Sequence, residues 1–287
     1  MHYTARNNIL FVIVLYNQRL ESCRSYASLL SLYNDLSIYI YDNSPSAQHS
    51  LQEFGNNICY VSRPDNPGLS YAYNRAAEYA EKNGFGWMFL LDQDTGFAPR
   101  SLPEYIDAIN SNPSVMLFSS PMAIGSGKYI SPLRKRAFFI QAITKIPLGI
   151  IPSAKYTVIN SGMMINVAAF AAVGGYKEQV WLDFSDIQFV DRFSRKYEDI
   201  FIVDSPSFQE FSDEVHTASQ KIERFRIFCT CLKHCERAGI CDDLFYFCVV
   251  SKRMLSLIVK TKSFKSVPVF FKYYLGSGTK SQTGRLI

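Results

Sequence analysis

The sequence predicts an α/β protein: an open, mostly parallel sheet with flanking helices, followed by a helical, basic C-terminal extension. Two observations carry this. In the first hundred residues, short apolar runs rich in β-formers alternate with stretches of helical spacing, as expected of strands covered on both faces. From residue 218 to 275, long stretches of helical spacing carry both apolar and basic faces.

The elements follow in order. "ILFVIVLY" (9–16) is a continuous apolar run and predicts a buried first strand. It follows Arg6, as a signal peptide's apolar region might follow a basic start, but it has no small-residue cleavage site and runs directly into Asn17-Gln18-Arg19. "RLESCRSYASLLSLYN" (19–34) has helical spacing, "LSIYIYDN" (36–43) and "NICYVSR" (57–63) read as strands, and "SYAYNRAAEYAEKNG" (70–84) as a helix capped by Ser70 and stopped by Gly84. "WMFLLD" (87–92) is a fourth strand. Residues 111–127 suggest a further strand and loop, and 131–155, with basic residues among Pro and Gly, a mobile excursion. "TVINSGMMINVAAFAAVGGY" (157–176) reads as strand, Ser161-Gly162 turn, strand and short helix ended by Gly174-Gly175. "DFSDIQFVDRFSRKYED" (183–199) reads as a helix whose Ser185 and Gln188 fit a capping box, with Arg192 as a structural partner on the same helix.

The chain has 287 residues, 48% of them apolar, enough for a substantial core, as one large domain or a domain with an appendage. Its net charge of +5 is mild but unevenly placed: after Asp243 there are eight Lys or Arg and no acid. Such a tail suits an anionic surface, and equally a solvated basic face. Phe245, Tyr246, Phe270, Phe271, Tyr273 and Tyr274 in that region fit core or membrane-facing positions better than base-stacking platforms, so no nucleic-acid partner is expected. No uncharged apolar run reaches the roughly 18 residues needed to span a bilayer. "LFYFCVVSKRMLSLIV" (244–259) comes nearest, but Ser251-Lys252-Arg253 interrupts it, so it would lie on a membrane rather than cross one. The seven cysteines are odd in number and irregular in spacing, which fits reduced thiols in a cytosol. Cys229, Cys231, Cys235, Cys241 and His234 lack the paired C-x2-C spacing of a zinc site and sit in a helical pattern.

In open α/β sheets ligands bind beyond the carboxyl ends of the strands. Those ends are polar here: Tyr16-Asn17, Asp42-Asn43-Ser44, Arg63, and Asp92-Gln93-Asp94. No glycine-rich dinucleotide loop or Walker-type phosphate loop follows the first strand, which excludes standard NAD and ATP sites. Residues two apart on a strand point the same way, so Asp92 and Asp94 aim together and Gln93 aims away. Two like charges so placed repel unless a cation or donors lie between them. Hard oxygens draw Mn2+ or Mg2+, ions whose coordination is completed by substrate phosphates. The plain alternative is a strand ending in a polar turn through Thr95-Gly96. Asp183 and Asp186 form a second pair. Asp186 at a helix start is stabilised by the helix dipole, or it is a general base at the pocket rim.

Taken together, "VLYNQ", "IYDNS", "RPDNPGLSYAYNRAAEYA", "FLLDQDT", "NSGMMIN", "VGGY" and "WLDFSDIQFVDRF" resemble the family 2 glycosyltransferases, over roughly residues 8–205. The branch they most resemble is the rhamnosyltransferase-like one of bacterial surface-polysaccharide synthesis. With its cations and interleaved aromatics, the helical region 218–287 is expected to associate with a membrane, and the resemblance implies a GT-A catalytic domain over 1–217. It also implies a dTDP- or UDP-linked sugar donor, a saccharide or lipid-linked acceptor, Mn2+ or Mg2+, and inverting single displacement in the cytoplasm, at the inner membrane face. By position, Asp42 and Asn43 would contact the nucleobase, with Tyr16 and Arg63 nearby, and Asn66, Gly68 and Asn74 would line the nucleotide and sugar pocket. Asp92, beside Gln93, would touch ribose or sugar, Asp94 would hold the metal, and Ser161 and Gly162 would shape the sugar and acceptor site. Asp186 would be the base, supported by Asp183. Two positions depart from the family's pattern. Gln209 stands where relatives often carry a metal-completing His, leaving His216 as a substitute ligand, and Gln188 replaces an acid that often follows the base. Two other readings stand beside this one: a catalytically inactive glycan- or membrane-binding module, and a nucleotidyltransferase, for which "YNQRLES" is a poor phosphate-gripping loop.

Overall fold

The computed structural model describes residues 5–125, 127–209 and 217–276. Four parallel strands, β1 (Ile9–Leu15), β2 (Ser37–Asp42), β3 (Ile58–Ser62) and β4 (Trp87–Asp92), lie in the order β4-β1-β2-β3. Their register sets Leu15 beside Asp42, Asp42 beside Ser62, and Val14 beside Asp92, so the polar strand ends meet along one edge. The sequence expected this convergence, and the pairing produces it.

The strands are apolar throughout because both faces are covered. Leu10, Val12 and Val14 point into one core with α2 (Leu69–Lys82), α4 (Val167–Ala172) and α5 (Ser185–Phe193). Ile9, Phe11, Ile13 and Leu15 point into another with α3 (Ser101–Ser111), a helix the sequence pattern did not single out. The predicted helix over 19–34 is broken: only α1 (Arg24–Ser28) is α-helical, between short turns at Leu20–Ser22 and Leu30–Leu32. Tertiary bonds override the helical spacing there. The Leu20 amide donates to His49 Nε2, and the Arg24 amide to the carbonyl of Gln93.

Beyond β4 the chain forms β5 (Thr95–Gly96), β6 (Leu117–Ser119), β7 (Met122–Ile124) and β8 (Tyr129–Ser131). The segment read as a mobile excursion is instead ordered as β9 (Leu133–Arg136), β10 (Phe139–Ala142), β11 (Gly149–Pro152) and β12 (Tyr156–Thr157). Its Pro and Gly residues fall in or next to the connections, and the residues between them pair. Then come β13 (Met163–Asn166), β14 (Asp199–Ile202) and β15 (Ser207–Gln209). The main sheet runs β11-β14-β6-β13-β4-β1-β2-β3, with smaller sheets β10-β9-β12 and β5-β15-β7-β8. Strand β13 runs antiparallel to β4, with Met163 opposite Leu90, so its entry turn, Ser161-Gly162, lies beside Asp92.

Two predicted caps shift. Gly68, not Ser70, precedes α2, and Phe184, at φ 70°, precedes α5. The hydroxyls of Ser70 and Ser185 are spent elsewhere, on the carbonyls of Val180 and Leu182. Gly84 ends α2 at φ 76°, as its position after the helical run implied.

The C-terminal residues are helical as expected: α6 (Ala218–Lys233), α7 (Ile240–Thr261), α8 (Ser266–Val269) and a π-helical turn over Phe270–Leu275. They share a core with the loop before α5. Phe225, Phe228, Tyr246, Val250 and Leu257 pack with Val180, Trp181, Leu182 and Phe184. Fully burying each such side chain is worth roughly 1.5–3 kcal/mol, which holds this region onto the sheet domain. Cys229, Cys231 and Cys235 are buried within it as free thiols, while Cys241 is exposed.

Candidate active site

The site lies at the carboxyl edge of β4. Asp92 ends the strand. Its amide donates to Ser161 Oγ at 3.0 Å, and its carboxylate accepts from Tyr73 Oη at 3.2 Å. Ser161 Oγ donates on to Thr95 Oγ1 at 2.8 Å, so the turn before β13 fixes the aspartate backbone. Gly162 is held at φ 80° by two bonds: its amide donates to the Leu90 carbonyl, and the Tyr105 hydroxyl donates to the Gly162 carbonyl at 2.5 Å. Strand β4 stops at Asp92, so Gln93 and Asp94 lie in the turn before β5 rather than on an alternating strand. The Gln93 side chain accepts from the Tyr16 amide at 2.9 Å and donates to the Tyr16 carbonyl, tying the ends of β1 and β4 together.

Asp94 accepts a 2.9 Å hydrogen bond from Gln209 Nε2. The pairing of β15 with β5 sets Gln209 opposite Thr95 and brings it there. The residue standing where relatives often carry a histidine therefore does face the D-x-D pair. His216 lies outside the described residues. Burial raises the Asp94 pKa, partly offset by the Gln209 bond. Burial also lifts Asp92, to about 7, helped by the charges of Asp94 and Asp186 and opposed by the Tyr73 bond. Two hard-oxygen groups that disfavour each other's ionisation are a donor set a divalent cation would relieve, so these residues fit Mn2+ or Mg2+.

The second pair sits at the start of α5, where Asp186 is the second helical residue. Its carboxylate accepts from the Ile187 amide at 2.7 Å. Burial raises its pKa to about 6, the Ile187 bond resists, and the Asp183 charge adds to the rise. Asp183 accepts from Arg224 of α6 at 2.8 Å, and its other oxygen is buried without a partner. Tyr73 and Tyr176 are buried within reach of both pairs. Each hydroxyl pKa is raised by burial first and then by the charges of both Asp92 and Asp186. Arg192 has a structural role, as expected, but its partners are the carbonyls of Val173, Gly174 and Gly175 rather than a carboxylate.

The remaining predicted residues form the walls. Asp42 is fully buried with both oxygens engaged, accepting from the Ser44 amide, from the Gln48 amide and from Tyr60 Oη at 2.5 Å. It fixes the loop after β2 and presents no free oxygen. Its neighbour Asn43 does: Oδ1 is buried and unpartnered. Arg63 forks onto Asp65 at 2.7 and 2.8 Å and lies 5.3 Å from the Tyr71 ring centre. Asn66 turns the chain at φ 44°. Gly68 packs against Trp181, and a Cβ there would lie 2.5 Å from the Trp181 carbonyl oxygen. Asn74 clamps the Gly174-Gly175 turn, accepting from the Tyr176 amide and donating to its carbonyl. Tyr73, Arg224 and the contact made by Gln209 were not read from sequence. Tyr73 carries no mark beyond a helical apolar position, and Arg224 lies 41 residues from the aspartate it meets.

Two other features lie apart. Glu21, His49 and Glu53 cluster, yet both nitrogens of His49 are committed, Nε2 to the Leu20 amide and Nδ1 to Glu53, so no lone pair is left for a metal. A cavity of about 370 Å³ opens on the far side of α5, between Lys135, Asp191, Arg195 and Phe245, and none of the four site carboxylates lines it.

The fold is that of nucleotide-sugar-dependent GT-A glycosyltransferases. The structure is similar to Staphylococcus aureus TarS 1–349 (TM-score 0.55, 13% identity, 92% of this chain and 78% of that chain). It is similar also to the mannosyltransferase PcManGT from Pyrobaculum calidifontis in complex with GDP-Man and Mn2+ (0.55, 11%, 96% and 77%). A third is GalNAc-T7 with UDP, GalNAc and Mn2+ (0.54, 11%, 92% and 57%), so the chain spans a little over half of that protein's length. No curated protein matches the sequence. The sequence profile described as "Glycosyl transferase family 2" matches residues 10–174, more than half of the chain, and the protein belongs to that family.

Proposed function

We propose that the protein is an inverting, metal-dependent glycosyltransferase. It moves rhamnose or a hexose from a dTDP- or UDP-linked donor to a saccharide or lipid-linked acceptor in cell-surface polysaccharide synthesis. The observation that supports this best is the carboxyl edge of β4, where Asp94 meets Gln209 and the charges of both Asp94 and Asp186 reach Asp92.

In this reading Asp94 and Asp92 hold Mn2+ or Mg2+ against the donor diphosphate. The bound metal supplies charge neutralisation for the departing nucleoside diphosphate. Asp186 accepts the proton of the acceptor hydroxyl as that oxygen attacks the anomeric carbon. A carboxylate raised to about 6 is ionised at neutral pH yet basic enough to serve. Asp183, held by Arg224, lies beside it. Tyr73 orients Asp92, and Ser161 fixes its backbone. Asn43, with Tyr16 and Arg63, borders the nucleobase, and Asp42 positions their loop. Asn66, Gly68 and Asn74 shape the pocket through backbone turns and clamps. Two of the similar structures hold Mn2+ with UDP or GDP-Man, which is in keeping with this chemistry.

The lipid-linked acceptor would place the enzyme on the cytoplasmic face of the inner membrane. No helix among the described residues is long and apolar enough to cross a bilayer. Gln209 at Asp94 gives one second reading, an inactive glycan- or membrane-binding module.

A thermal-shift panel of UDP, dTDP, GDP and their sugars, with and without Mn2+, tests the proposal. A ligand at a hundred times its Kd stabilises by about 2.7 kcal/mol. A Mn2+-dependent rise with one nucleotide supports a transferase and names the donor base. No rise with any of them selects the inactive module. Pyrophosphate release from a nucleoside triphosphate and a sugar phosphate would instead indicate a nucleotidyltransferase.

A further inference from the structure

We propose that the outer face of α7 and the β9–β10 hairpin form one surface that docks on an anionic lipid bilayer. This deepens the membrane part of the function proposed above and rests on none of its chemistry.

Helix α7 is apolar on two opposite sides. Tyr246, Val250 and Leu257 are buried inward. On the opposite side, Leu255 is 57% exposed and Val259, one turn later, 77% exposed. Lys252 stands on the same outward side, and Lys260 and Lys262 at the helix end are exposed as well. A helix whose second apolar stripe faces water beside lysines has the pattern of an interfacial helix.

The hairpin continues this surface. Arg136 pairs with Phe139 across β9 and β10, and Arg134 with Gln141, so these four side chains share one face. Phe138 in the turn is 47% exposed and Phe139 is 44% exposed. Lys252 Nζ lies 6.0 Å from the centre of the Phe139 ring, which makes helix and hairpin contiguous. The hairpin is anchored from behind: Lys135, on its other face, pairs with Asp191 of α5 at 2.6 Å.

Charge selects the occupant. Arg134, Arg136 and the lysines of α7 have no carboxylate partner among the described residues. After Asp243 the sequence has no acid at all. A second copy of the chain would bring these like charges together. A nucleic acid would satisfy the cations and leave Leu255, Val259 and Phe138 against water or phosphate. A bilayer with acidic headgroups accepts both parts, since cations sit at the phosphates while aromatic and aliphatic groups reach the acyl boundary.

The test uses the full chain. It is sedimented with vesicles of phosphatidylcholine containing about one-third phosphatidylglycerol, and with phosphatidylcholine alone, at low salt and at roughly 0.5 M salt. Two double variants follow, Arg134→Glu with Arg136→Glu and Leu255→Ser with Val259→Ser. All these positions are exposed, and the nucleotide thermal shift checks that each variant folds. The expected result is salt-sensitive binding to the anionic vesicles only, weakened about tenfold or more in each double variant. The tryptophan introduced by Phe139→Trp should be quenched by brominated lipid. Absence of vesicle binding overturns the proposal. So does binding that both double variants leave unchanged, tighter binding to RNA than to vesicles, or a dimer that shields the introduced tryptophan. Vesicle binding without any nucleotide shift would overturn the transferase reading and leave this one standing.

Discussion

The two carboxylate pairs share a space but are built differently. Asp92 and Asp94 hang from the end of a central strand, fixed by neighbours on the sheet: Ser161 on the adjoining strand's turn, Gln93 locking β1 to β4, and Gln209 on β15. Asp183 and Asp186 lie either side of a residue at φ 70° at the start of a helix; Asp186 is held by the Ile187 amide of that helix, and Asp183 by Arg224, in the C-terminal helices. The strand-end pair is thus a property of the sheet, whereas the helix-start pair depends in part on how a distant segment docks. A change on the sheet side should abolish metal use outright. A change on the helical side should tune the base.

The sharpest break of this comparison sets Asp94→Ala beside Asp186→Asn. Both should lower turnover by about a thousandfold or more. Only Asp94→Ala should also remove the Mn2+-dependent nucleotide thermal shift, and Asp186→Asn should keep it. Equal loss of that shift in both would merge the two pairs into one binding site.

Arg224→Ala should have a smaller effect, of about tenfold at neutral pH. It removes the positive charge that offsets Asp183 next to Asp186, and the acid limb of the kcat/KM profile, expected near pH 6 in the parent, should move upward. A uniform drop with no movement of the limb would make Arg224 merely a packing residue.

The smallest effect is on stability. Asp92 and Asp186 have folded-state pKa values raised to about 7 and about 6. An acid raised in this way takes up a proton on folding, so its contribution to stability falls as pH rises from its unfolded value, near 4, through its folded one. The metal-free protein should therefore melt several degrees higher at pH 5 than at pH 7.5. Saturating Mn2+ should shrink or reverse that difference, and a melting temperature indifferent to both would contradict the raised pKa values.

The comparison also explains what could be read from the sequence. The central parallel strands are continuous apolar runs, and the polar residues that end them, Asp92 among them, could be read directly, whereas Gln93 and Asp94 fall in the turn that follows. The other side depends on distant contacts. The Ser70 and Ser185 hydroxyls bond to Val180 and Leu182 rather than capping their helices, which moved both helix starts. The segment 131–155 looked irregular because its strands are short and carry Arg134 and Arg136 on an exposed face. The apolar spacing over 19–34 suggested one helix, yet bonds from Leu20 and Arg24 to His49 and Gln93 broke it. No local pattern encodes those partners.

The shared core of the C-terminal helices has a consequence for chemical labelling. Cys229, Cys231 and Cys235 are buried there with thiol pKa values raised by desolvation, whereas Cys241 lies open on the next helix. A thiol reagent should modify Cys241 promptly and the buried three only when the helical layer separates from the loop that precedes α5. Their slow labelling would then time that separation, and a bound donor that steadies the loop should lengthen it.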